Sequence, residues 1–146
     1  PRSKLLFSGN NQLRSRFKAS VNFYPFRIRT SIELQRFRGV IASICSQFTE
    51  SERRFLISDA VVERFFYATD GIYRNLVDLM DGVALLKEDG GVVDKKVLSQ
   101  AYRETIHASA SGSNDPFGDE FDFRRLTEVN EPYFPSPIDG DNHEVY

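Results

Sequence analysis

The sequence predicts a mainly α-helical fold. About four helices fill residues 31–106, one or two short strands precede them, and an acidic, largely irregular tail follows. Three observations predict this. Apolar residues recur at helical spacing in three successive runs, 59–68, 72–87 and 95–106. Turn-forming Asp70-Gly71 and Asp89-Gly90-Gly91 separate those runs. Charge also falls in steps along the chain: residues 1–50 hold nine Lys or Arg against two acids, residues 51–106 eight against ten, and residues 107–146 two against nine. The net charge of −2 conceals this gradient, which divides the chain at about residues 30 and 106. A length of 146 residues suits one domain with extensions.

In chain order, Leu5-Leu6-Phe7 is a short apolar run stopped by Ser8-Gly9-Asn10, and its composition favours a strand. Residues 11–17 suit a short helix with Arg14 and Arg16 on a basic face. Residues 21–28 have extended character, and Pro25 limits them to an edge strand or a connection. Thr30 with Glu33 forms a capping box for the next helix, whose apolar stripe runs from Ile32 to Phe48. Gly39 inside that helix suggests close packing. Residues 49–54 are polar and read as a linker. Ser58 is the expected cap of the helix over 59–68, and Asp94 that of the helix over 95–106. Residues 108–114 are a flexible linker by composition. Beyond them, aromatic residues alternate with nine acids, suiting a short helix near 119–129 and an extended end.

Composition excludes several classes of function. A single cysteine, Cys45, forms no internal disulfide and falls in an apolar helical pattern, as a buried reduced thiol in a cytoplasmic protein would. His107 and His143 lie too far apart to suggest a metal site. Asp78 with Asp81, and the group Asp119, Glu120 and Asp122, read as solvated carboxylates. No apolar run approaches the roughly 20 residues that span a bilayer. No GxxxxGK[ST] stretch or strand ending in paired acids is present, so these residues alone should not hydrolyse ATP.

Two basic features point to anions. Arg2, Lys4, Arg14, Arg16, Lys18, Arg27, Arg29, Arg36 and Arg38 could face nucleic-acid backbone or a triphosphate, or simply solvent. Arg74 sits one turn inside the helix that follows Asp70-Gly71. It either pairs with Asp70 or Asp78 at helical spacing or projects a bidentate guanidinium towards a bound anion.

The order of these pieces resembles the C-terminal part of an AAA+ ATPase, specifically the TniB/TnsC-like family of transposition regulators, over about residues 4–106. Lys4-Leu-Leu-Phe-Ser-Gly-Asn10 looks like a late core strand ending in the sensor-1 residue, here Asn10. Gln12-Leu-Arg-Ser-Arg-Phe17 resembles the segment that places an arginine at a subunit boundary, with Arg16 first and Arg14 second as candidates. Gly71-Ile-Tyr-Arg-Asn-Leu76 is similar to the sensor-2 motif, with Arg74 as its arginine. The resemblance makes residues 1–30 the end of an α/β P-loop core, residues 31–106 a helical lid, and residues 107–146 a linker and tail.

The resemblance implies a fragment of a longer ATPase, because the Walker A and Walker B half is absent. ATP and Mg²⁺ would be cofactors of that longer chain and not of these residues alone. Asn10, Arg14 and Arg16 would be its catalytic residues and Arg74 its nucleotide contact. Expected partners are duplex DNA, further copies in a ring or filament, and transposase and target-selector proteins engaged through residues 115–146, with no membrane. The alternative is a stand-alone helical nucleic-acid-binding or adaptor module with no nucleotide role. A different AAA+ relative, of the initiator or clamp-loader kind, would share the lid and differ in its partners.

Overall fold

The computed structural model describes residues 25–88 and 92–135. Five helices follow one another: α1 Ser31–Ser43, α2 Glu50–Leu56, α3 Asp59–Thr69, α4 Tyr73–Glu88 and α5 Lys95–Thr105. A single 3₁₀ turn, Gly112–Asn114, follows α5. Among the described residues there is no strand, so the strand-bearing α/β fold expected ahead of the bundle is corrected to an all-helical one. Residues 25–28, the described end of the expected edge strand, are irregular. Pro25 has no N–H to give a ladder, and the Phe26 N–H donates to the Gly71 carbonyl at the α3–α4 turn (2.7 Å). The expected strand at residues 4–10 lies outside the described residues.

The helices start where their sequences allow a cap. Thr30 Oγ1 accepts from the Glu33 N–H and the Glu33 carboxylate accepts from the Thr30 N–H, both at 3.1 Å. The stretch expected to be one helix, 33–48, divides. α1 ends at Ser43, and Thr49 with Glu52 repeats the same capping box to open α2, where a linker was expected. Ser58 does not cap α3 with its side chain: its hydroxyl donates back to the Phe55 carbonyl at 2.8 Å. Asp94 caps α5 through the Val97 N–H at 3.0 Å.

One core unites the five helices. Phe37 and Ile41 of α1, Leu56 of α2, Phe65 and Phe66 of α3, and Leu76 and Leu79 of α4 are all almost wholly buried. Leu98 and Tyr102 of α5 join them. Side chains this size each contribute about 1.5–3 kcal/mol when removed from water. Cys45 lies in the same core, and burial pushes its thiol up to about 11. It is therefore protonated and unreactive at neutral pH. Polar side chains fasten the corners. Arg38 of α1 donates to the Ile57 carbonyl (2.7 Å) and pairs with Asp59. Lys87 of α4 reaches both the Gln47 carbonyl and Glu52 of α2.

Gly39 serves no packing role among the described residues. It is exposed, and a Cβ added there would meet nothing within 4 Å. Gly39→Ala should therefore stabilise the bundle by about 1 kcal/mol through helix propensity alone, as measured by urea unfolding. A loss of stability would show that this face is covered.

The segment after α5 is irregular but packed. Phe117, Phe121, Leu126 and Tyr133 are buried, and Ala110 within the expected flexible linker is 4% exposed. The Phe117 ring meets Phe65 edge-on at 5.3 Å and Tyr102 at 6.3 Å, and Phe121 meets Tyr67 at 5.5 Å. No helix forms over 119–129. Phe123 and Asn130 take left-handed backbone angles (φ 53° and 69°), and the chain instead runs as a strap along α3 and α5.

Candidate functional site

The site is the turn between α3 and α4 with the strap that holds it. α3 ends when Asp70 enters the left-handed region (φ 55°), with Gly71 following at φ 72°. Only a residue without a Cβ fits at 71, because a Cβ there would lie 2.3 Å from the Phe26 carbonyl oxygen. Thr69 steadies the bend by donating its hydroxyl to the Phe65 carbonyl and accepting from the Gly71 N–H. α4 then begins at Tyr73, so Arg74 occupies its first turn and is exposed.

The expected partners of Arg74 do not take it. Asp70 is 2% exposed and accepts a fork from the strap: Arg125 Nε reaches Oδ1 at 3.1 Å and Nη2 reaches Oδ2 at 3.0 Å. Asp78 is exposed and forms no ion pair with Arg74. Among the described residues Arg74 makes no hydrogen bond or salt bridge. Most other described arginines are engaged. Arg64 donates to the Pro116 and Gly118 carbonyls at 2.9 and 2.8 Å, and Arg103 lies 3.8 Å from Asp115. Arg124 forks Glu131 at 2.8 and 2.7 Å. That fork holds the Glu131 carboxyl below the usual glutamate range and raises Arg124 in turn.

Two further residues close the turn. Tyr133 of the strap donates its hydroxyl to the Ala68 carbonyl, the last but one residue of α3. Asn75, next to Arg74, donates Nδ2 to the Thr69 carbonyl (3.2 Å) and to Tyr133 Oη (3.4 Å). The turn that carries Arg74 is thus fastened from before α1 by Phe26, from within by Asn75, and from the strap by Arg125 and Tyr133.

Of the residues singled out in the sequence, Asn10, Arg14 and Arg16 lie outside the described residues. Of the basic front, Arg36 is exposed on α1, whereas Arg38 is committed to Asp59 and Ile57. The acids of the tail are partly spoken for. Lys95 holds Asp119 at 2.9 Å and, through that hydrogen bond, below its ordinary range, while Arg124 reaches Asp122 at 3.2 Å. Among the described residues no group of three or more His, Cys, Asp or Glu could hold a metal ion. No described helix is long and apolar enough to cross a membrane.

A cavity of about 350 Å³ lies where the strap passes α3, lined by Arg29, Glu63, Tyr67, Phe123 and Arg125 among others. Its arginines are engaged: Arg125 with Asp70 and Arg124 with Glu131. Sequence reasoning missed Arg125, Tyr133 and Asn75. The signal for the first was available, since Arg124 and Arg125 are the two bases in a tail of nine acids.

Compared with protein-family models, with curated proteins and with solved structures, the chain matches none.

Proposed function

We propose that this helical bundle is the nucleotide-sensing part of an ATP-dependent regulator of DNA transposition of the TniB/TnsC kind, acting in the cytoplasm. Arg74 contacts phosphate oxygens of an ATP–Mg²⁺ bound by residues outside the bundle. The observation that carries the reading is the position of Arg74. It stands in the first turn of α4, exposed and without a side-chain partner among the described residues, on a turn that four other residues hold. A guanidinium has the fork geometry that two phosphate oxygens require, and it stays charged at any working pH.

On this reading the protein assembles with further copies on duplex DNA and joins a target selector to a transposase. The strap narrows how it would meet those proteins. Phe117, Phe121, Leu126 and Tyr133 are buried against the bundle, so partner contact through the tail falls to exposed Phe123, Val129 and Phe134 and to the acidic residues beyond 135.

Arg74→Ala tests the reading in the full-length protein. ATP turnover or ATP-dependent assembly on DNA should fall at least about tenfold, which corresponds to about 1.4 kcal/mol. The thermal unfolding midpoint should not move, because the side chain is exposed. Arg74→Lys should recover only part of the activity, since an ammonium cannot fork two oxygens. Unchanged turnover and assembly would remove Arg74 from nucleotide sensing and favour an adaptor module without a nucleotide role.

A further inference from the structure

We propose that Arg125 and Tyr133 are positioning residues: the strap sets the direction in which Arg74 leaves the bundle. The inference deepens the function proposed above and rests on it for the nucleotide. The hold itself is a property of the structure.

The joint between α3 and α4 has positive φ at both Asp70 and Gly71, a conformation that strains a residue with a Cβ and persists only where surrounding contacts hold it. Its aim depends on what grips it. On one side Arg125 places two hydrogen bonds on the Asp70 carboxylate, in a site where Asp70 is 2% exposed. On the other, the Tyr133 hydroxyl joins the end of α3, at the Ala68 carbonyl, to the start of α4, at Asn75. Arg74 lies three residues after the joint and immediately before Asn75. The strap residues lie about 50 to 60 positions further along the chain, so the grip is entirely tertiary.

The strap is itself anchored ahead of these contacts and between them. Phe117 and Leu126 are buried upstream of Tyr133, and the Arg124–Glu131 fork locks the bend between Arg125 and Tyr133. The Tyr133 N–H donates to the Leu126 carbonyl at 3.0 Å, closing that bend into a loop. Arg125 and Tyr133 therefore act as two fingers of one rigid loop. A guanidinium that must meet phosphate oxygens within a few tenths of an ångström needs such support.

Two variants of the full-length chain test this. Tyr133→Phe removes one hydroxyl and keeps the packed ring. Asp70→Asn combined with Arg125→Gln replaces the ionic fork with neutral amides and leaves no charge buried alone. The first readout is amide hydrogen exchange at Gly71, Ile72 and Leu76, whose N–H groups bond across or just after the turn. Exchange there should speed up about tenfold or more, while Leu98 and Tyr102 in α5 keep their rates. The second readout is apparent affinity for ATP–Mg²⁺, which should fall several-fold in each variant. Added to Arg74→Ala, either variant should cause no further loss, because both act through the same guanidinium.

Exchange unchanged at the turn, or raised equally throughout the bundle, would overturn the positioning role. Losses of affinity that multiply with that of Arg74→Ala would overturn it as well. Locally faster exchange combined with ATP affinity that Arg74→Ala leaves unchanged would support the hold on the turn and overturn the nucleotide reading instead.

Discussion

Phe117→Ala should destabilise the bundle by about 3–5 kcal/mol, the range for removing a buried aromatic ring from a packed core. Phe117 is 2% exposed and packs edge-on against Phe65 of α3 and Tyr102 of α5. Its loss would open a void between α3 and α5, both of which its ring packs against. Tyr102 would feel it twice. Burial already pushes the Tyr102 phenol well above its usual range, and its hydroxyl has no hydrogen-bond partner among the described residues. Urea unfolding measures the effect, with Phe134→Ala as control. Phe134 is 51% exposed, and its truncation should stay within about 0.5 kcal/mol of wild type. Equal, small effects for both would mean that the strap does not belong to the core. The same reasoning dictates where the tail should be cut in a partner-binding experiment. Ending the chain after residue 135 keeps every described core residue, whereas ending it after residue 107 strips the strap from α3 and α5.

Gly71→Ala should cost about 2–3 kcal/mol. Two terms make up the figure. A Cβ at φ 72° adds roughly 1–2 kcal/mol of backbone strain. The same Cβ would lie 2.3 Å from the Phe26 carbonyl oxygen, so residues 25–28 must retreat. That retreat breaks the Phe26–Gly71 hydrogen bond, worth about 1 kcal/mol. The alanine variant should therefore unfold earlier in urea and show faster amide exchange at Phe26 and Ile72. An alanine tolerated without loss of stability would mean that the segment before α1 is not seated on the turn. Because the turn carries Arg74, the variant should also lose whatever activity Arg74→Ala loses.

The helices were legible to within a residue or two at the three runs after Ser58. Apolar spacing there is strong, and Asp70-Gly71 and Asp94 are unambiguous breaks. The division of residues 33–48 was legible in principle, since Thr49-Glu-Ser-Glu repeats the Thr-x-x-Glu start signal of Thr30-Ser-Ile-Glu closely enough to place a cap. Four charged residues among the five from 50 to 54 made it read as a linker. The strap was not legible. Gly, Ser and Pro around residues 108–118 are the composition of a mobile connection, and short periodicity says nothing about irregular chain. What orders it is contact with residues 52 to 65 positions away: Phe65 under Phe117, Asp70 under Arg125, Ala68 under Tyr133.

The residue singled out for nucleotide contact shows the same division. Its helix, its place in the first turn and the turn before it are local facts, written in Asp70-Gly71-Ile72-Tyr73-Arg74. Whether Arg74 is free was open between Asp70, Asp78 and solvent, because helical spacing permits all three. Arg125 decided it by occupying Asp70, and a contact between residues 55 apart leaves no trace in any local pattern. By itself, then, the sequence determined where α3, α4 and α5 form and stop, since capping and apolar spacing act over a few residues. The tertiary structure alone decided that residues 110–133 join the core and that Arg74 is left without a partner among the described residues. Both outcomes depend on which distant side chains compete for the same carboxylate and the same apolar surface, and that competition exists only once the chain has folded.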